Sequence, residues 1–217
     1  MRTRGIVAAS LAFPLLLAVV ACRRADRFPA FSGIWSKIDE NGLVDSSTQR
    51  MIHVASDGRR FRIVTQGNDL DEIQVYDGKQ LITQRLLNDN LDEMDVADST
   101  DTTGARRAYP IKSLPESQNM PEGETRSLRF WETRPLGWSI RGDVVASRPT
   151  KFYHDERKDG TRLIRTQLWR DSSTGVMLRM SVSVYLLPMK VFITRTTYTC
   201  LQIHYGDVDP GEFTRLW

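Results

Sequence analysis

The chain has 217 residues, 40% of them hydrophobic and 26% charged, which is enough apolar mass for one sizeable core and too much for a disordered chain. Lys and Arg total 30 against 27 Asp and Glu, so the net charge of +3 is small. Only two cysteines occur, which excludes a disulfide framework as the main support of the fold.

The first segment decides the compartment. Met1 to Arg4 is a short positive stretch, Gly5 to Val20 is apolar apart from Ser10 and Pro14, and small residues follow. This is the order of a secretion signal spanning residues 1–21. Val19, Val20 and Ala21 before Cys22 resemble a bacterial lipobox. That resemblance implies cleavage before Cys22, a diacylglyceryl group on its thiol, and a membrane partner reached through the anchor at Cys22. Two or three acyl chains hold a protein stably, since each buried methylene contributes about 0.8 kcal/mol. Residues 22–30 then form a tether and 31–217 a single domain. Removing residues 1–21 takes away Arg2 and Arg4 and leaves 28 basic against 27 acidic groups, so nothing in the charge calls for nucleic acid. Arg23 behind the cysteine fits delivery to an outer membrane facing the periplasm, because in enterobacteria an acidic residue there causes retention at the inner membrane.

Beyond the tether the period is mostly two. Phe31 to Ile38 reads as a strand or a short helix, and its Gly33-Ile34-Trp35 is similar to the start of a lipocalin. Ile52 and Val54 share a face, "SDGR" supplies a turn, and Phe61, Ile63 and Thr65 alternate with Arg60, Arg62 and Val64. Ile73 and Val75 alternate with Glu72, Gln74 and Tyr76, and Asp77-Gly78 leads into a tight hairpin. Asn88 to Gly123 reads as a long loop, whose "DNLDEMDVADSTD" holds six acidic groups and no basic one. Its aspartates lack the glycine bend and closing Glu of a calcium loop, which leaves a solvated acidic stretch.

Glu124 to Glu132 predicts about two helical turns carrying Leu128, Phe130 and Trp131, with Trp138 and Ile140 extending the same apolar surface. The whole insert, about 88–140, is expected to cap the open end of a sheet or to serve as a lid over a cavity. The second half reads as strand, Lys-Asp-Gly turn, strand, Ser-Ser-Thr-Gly turn, a long strand from Val176 to Leu186, a break at Pro188, and one strand more. Together these make eight to eleven antiparallel strands around one core.

No catalytic motif is present: there is no Gly-x-Ser-x-Gly elbow, His-Glu-x-x-His pair, phosphate loop or dinucleotide fingerprint. The three histidines, His53, His154 and His204, form no recognisable site. Cys200 and His204, four residues apart on a strand, stand about 13 Å from each other and cannot share a metal ion. The expectation is a non-enzyme without cofactor or metal.

The pieces "VYDGKQLIT", "QLWRDSSTGVMLRMSV" and "IHYGDVDPGEF" resemble, in order and spacing, the bacterial lipoprotein carriers and receptors of the LolA and LolB superfamily, with the sigma-E regulator RseB among them. The matching positions are Trp169, Asp171, Thr174, Gly175, Leu178, Arg179 and Phe213, and the pattern runs from about Arg50 to the C-terminus. This resemblance implies an unclosed β-barrel, a mainly β fold whose curved antiparallel sheet wraps a helical lid or plug. It also implies a hydrophobic cavity for an acyl chain, lipid or lipoprotein. The face of Val176, Leu178, Met180, Val182, Val184 and Leu186 would line that cavity, with Leu128 and Trp131 contributed by the lid. Three alternatives stay open: a dry core with the same apolar face, an envelope module that docks a protein partner as RseB does, and a closed lipocalin-like barrel.

Overall fold

A computed structural model describes residues 28–67, 70–87, 111–112, 115–120, 124–135, 137–187, 189 and 191–214. The signal segment, Cys22 and the acidic stretch lie outside these residues.

Among the described residues twelve strands form one antiparallel sheet. In chain order they are β1 (Phe31–Asn41), β2 (Ser46–Ser56), β3 (Phe61–Gln66), β4 (Leu70–Tyr76), β5 (Gln80–Leu87), β6 (Ile111–Lys112), β7 (Glu116–Asn119), β8 (Ser139–Val145), β9 (Arg148–Asp159), β10 (Arg162–Asp171), β11 (Met177–Leu186) and β12 (Val191–Tyr205). The spatial order is β6-β5-β4-β3-β2-β1-β12-β11-β10-β9-β8, with β7 also pairing β5. The first and last strands of the chain therefore sit side by side in the middle, and β8 and the short β6 and β7 mark the two edges. The sheet does not close into a barrel, which removes the lipocalin-like alternative.

The register shows which alternation builds the core. Phe31 and Trp35 of β1, Ile52 and Val54 of β2, Phe61 and Ile63 of β3, and Tyr76 of β4 are buried in one cluster on the concave face. Gly33 is required by that packing, because a Cβ there would come within 2.6 Å of the Trp35 ring. On β12 an extra residue, Leu201, interrupts the pairing between Ile34 and Trp35, so Cys200, Tyr198 and Ile203 all reach the same cluster while Leu201 turns outward. The alternate residues Val64, Ile73 and Val75 form a smaller buried cluster of their own.

Three expectations are corrected. Glu124 to Glu132 is not a helix but two 3-10 turns, Glu124–Ser127 and Phe130–Glu132. The nine residues are too few to hold a helix by its own ladder. Adjacent Phe130 and Trp131 instead drive both rings into the concave face at an interplanar angle of 80°. The long loop contains two strands, β6 and β7, both of which return to pair with β5, so the strand count is twelve rather than eight to eleven. Trp138 and Ile140 do not extend the apolar core surface: they are 96% and 66% exposed at the free edge.

Candidate functional site: a cavity on the concave face

The plug is held by aromatic edges. Trp131 is fully buried and meets Phe31 and Phe61 edge-on at ring distances of 5.9 and 5.7 Å. Phe130 stands edge-on to Trp35 at 5.6 Å and stacks on Tyr198 at 5.0 Å. Arg129 ties the plug to the sheet, donating from Nη2 to the Arg59 carbonyl at 2.5 Å and from Nη1 to Glu132 at 3.2 Å, with its guanidinium 5.3 Å from the Phe61 ring.

This plug fills one end of the concave face only. Beside it lies a cavity of about 360 Å³, floored by Ile52 and Ile63 and walled by Leu128, Phe130 and Tyr198. Its rim is polar, with Lys37, Arg50, Glu72 and Gln74. Lys37 is held in place by Asp39, at 2.9 Å, and its ammonium lies 5.7 Å from the Tyr198 ring. Thr196 donates to Asp39 at 2.7 Å, and the bonds from Thr196 and Lys37 outweigh burial to keep that carboxyl below its ordinary range. An apolar floor with a polar rim is the polarity of a site for an amphiphile.

The residues expected to line a cavity divide into three sets. Leu128 lines it. Leu178 and Trp131 are fully buried in the core beside it. Met180, Val182 and Val184 lie on the same face as Tyr198, Thr196 and Thr194 of β12, and they and Leu186 are half-buried, forming an apolar wall beyond the cavity rather than its lining. Ile52, Ile63, Phe130, Tyr198 and Lys37 are the cavity residues that strand alternation alone does not single out. The signal for Ile52 and Ile63 was their shared face, but which stretch of that face stays uncovered depends on where the plug docks.

The hairpin motif has a structural role. Asp171, with its side chain fully buried, accepts at Oδ1 from the Ser173 amide at 2.8 Å, the Ser173 hydroxyl at 2.6 Å and the Thr174 amide at 3.1 Å. At Oδ2 it accepts from Arg148 at 2.8 Å and the Tyr205 hydroxyl at 3.1 Å. Burial opposes the charge, but these donors outweigh it and bring the carboxyl down to about 2. Thr174 donates to the Tyr205 hydroxyl at 2.8 Å, Gly175 takes φ +75° at the turn, and Arg179 lies over the Trp169 ring at 5.0 Å. Phe213, buried in the closing 3-10 turn, receives the Arg60 guanidinium at 4.6 Å.

A second recess of about 450 Å³ lies on the opposite face, where the side chains alternating with the core emerge. Its lining mixes Ile34, Val54, Ala55 and Val208 with the polar side chains of His53, Arg62, His204, Asp207, Asp209 and Glu212. Among the described residues no group of three His, Cys, Asp or Glu side chains converges as a metal ion would need. Cys200 is buried and donates to the Gln202 carbonyl at 3.3 Å, and burial pushes its thiol up to about 12. Cys200 is therefore expected to stay protonated and unreactive toward an aromatic disulfide reagent at pH 8, reacting only when denaturant opens the core. Stoichiometric labelling of the native protein at that residue would contradict this.

No protein-family profile matches the chain, and no curated protein matches it in sequence. Solved structures do resemble it. A LolA superfamily protein from Nitrosomonas europaea is 13% identical with a TM-score of 0.34, over 92% of this chain and 97% of that one. A DUF1329 family protein from Desulfovibrio piger is 11% identical with a TM-score of 0.34, over 89% and 93%. A putative outer membrane lipoprotein-sorting protein domain from Vibrio parahaemolyticus is 9% identical with a TM-score of 0.33, over 91% and 96%.

Proposed function

We propose that the protein is a non-catalytic, lipid-anchored protein of the cell envelope that takes an acyl chain, from a lipid or a lipoprotein, into its concave face. The observation that supports this reading is the space beside the plug: an apolar floor at Ile52 and Ile63, a wall of Leu128 and Phe130, and Lys37 and Arg50 at the rim. An acyl chain would lie along the floor and the half-buried Val182 wall, and a polar headgroup or polypeptide would meet Lys37, Arg50, Glu72 and Gln74 at the rim. Lipoprotein sorting or transport is the process such a binder serves, with the anchor at Cys22 holding it at a membrane. Nothing in this role needs a cofactor.

The test uses a chain beginning at residue 23, which retains all twelve strands, purified from a bacterial envelope and examined by native mass spectrometry with lipid extraction. Co-purified acyl lipid that a fluorescent fatty acid displaces is the expected result. Leu128→Asp and Val182→Asp, both at half-buried positions, are expected to lower uptake about tenfold or more, because a carboxylate must then be desolvated against the chain. A clean apo mass with no uptake, or unaltered uptake by both folded variants, would overturn the reading. A charge at Leu178 would not serve as a test, since this fully buried residue would unfold the core instead.

A further inference from the structure

The free edge opposite β6 and β7 carries an unusual charge pattern. Arg141 of β8 is directly opposite Lys151 of β9, and Lys151 is directly opposite Arg170 of β10, so three cations stand in one row across three strands. Like charges opposite one another destabilise a sheet unless a counter-charge is supplied. Among the described residues none of the three is ion-paired with a carboxylate. Arg170 reaches only the Gly175 carbonyl and the Phe28 ring. Asp171, next along β10, is committed to Arg148. Burial and the positive charge of Arg134 also disfavour the charged form of Arg170, which Tyr153 partly offsets. Among the described residues, then, no carboxylate is paired with the row.

The same edge presents apolar side chains to solvent. Trp138, just before β8, is 96% exposed, and Ile140 and Val144 within β8 are 66% and 69% exposed. A tryptophan left in water three residues before Arg141, at an edge that also carries Lys151, is the composition of a side chain set that sits at a membrane interface, where the ring lies among headgroups and the cations meet phosphates.

We propose that the β8 edge docks on an anionic lipid surface, with Arg141, Lys151 and Arg170 meeting lipid phosphates and Trp138 entering the headgroup layer. This edge is separate from the concave cavity. The inference rests on the envelope location proposed above but not on acyl uptake, so each is able to fail without the other.

The chain beginning at residue 23 is mixed with vesicles of phosphatidylcholine alone or of equimolar phosphatidylcholine and phosphatidylglycerol, and binding is followed by co-sedimentation and tryptophan emission. The chain has five tryptophans, so only the part of a blue shift on binding that Trp138→Phe removes reports on Trp138. Binding to the anionic vesicles only, its loss in high salt, and a blue shift absent from Trp138→Phe are expected. The Arg141→Glu, Lys151→Glu double variant is expected to bind about tenfold more weakly or worse. Both variants alter exposed side chains, and unchanged thermal melting verifies that they fold. Equal binding to both vesicle types, a blue shift that persists in Trp138→Phe, or full affinity in the double variant would overturn the proposal. So would capture of polyglutamate, but not of vesicles, through the same cations, which would assign the edge to an acidic polypeptide.

Discussion

Trp131→Ala is expected to cost about 3–5 kcal/mol, the range for emptying the site of a fully buried tryptophan. The ring is the central contact of the plug, edge-on to Phe31, Phe61 and Phe130. Its loss leaves a void that backbone strands on one side and a short 3-10 turn on the other do not collapse to fill. The turn is the weaker partner, since it has no helical ladder of its own, so the plug detaches before the sheet opens. Urea unfolding measures the loss, and acyl uptake should fall with it because Phe130 and Leu128 form the cavity wall. Trp131→Phe is the control. The indole N–H has no hydrogen-bond partner among the described residues, so phenylalanine removes an unsatisfied donor while keeping most of the ring, and a cost below about 1.5 kcal/mol is expected. A cost for Trp131→Ala below about 1 kcal/mol would show that the turn does not hold the core.

The second large effect belongs to Asp171. Its carboxyl titrates at about 2 in the folded protein against an ordinary value of 3.8, so the folded state binds that proton more weakly than the unfolded chain. The stabilisation is present in full above the unfolded value and is lost as pH falls through 4 toward 2, amounting to about 2 kcal/mol. Asp171→Asn should destabilise the protein by about 2–3 kcal/mol at pH 7, because Arg148 and the Tyr205 hydroxyl lose their charged acceptor. The gap between the two proteins should close on acidification, as the wild type loses what the variant never had. Denaturant melts at pH 7, 4 and 2.5 check the sign: a gap that widens in acid would contradict the network as drawn.

Much of the fold was legible in local alternation. Ile52 with Val54 and Phe61 with Ile63 share a face in the sequence and share the core in the structure. Met180, Val182 and Val184 likewise keep the common face expected of them. What was not legible came from breaks in that period. Leu201 is an extra residue that no composition signal marks, and in an unbulged strand Cys200 and Ile203, three positions apart, would point to opposite faces. The plug was mistaken for a helix because Leu128 and Trp131 stand one helical turn apart, whereas the aromatic contacts of Phe130 and Trp131 decide the local shape. The apolar character of Trp138 suggested burial, yet β8, which it precedes, is the last strand in the sheet and nothing among the described residues covers it. The cavity was the least legible part, since its location depends on long-range docking of the plug beside β1 to β4. The apolar wall was readable, but which part of the face remains open was not.

The pairing of β1 with β12 has a consequence for how the chain is made. Strand partners in this seam are far apart along the chain: the Thr196 hydroxyl reaches Asp39 across 157 positions. Each half is a meander of neighbouring hairpins, but β1 has a bare side until β12 emerges. Closing so long a loop is slow, and the two halves gain their common core only when β12 pairs. A nascent chain thus stays unlocked until β12 is made. A product truncated before about residue 190 therefore keeps an open seam, and is a substrate for proteolysis rather than a smaller working protein.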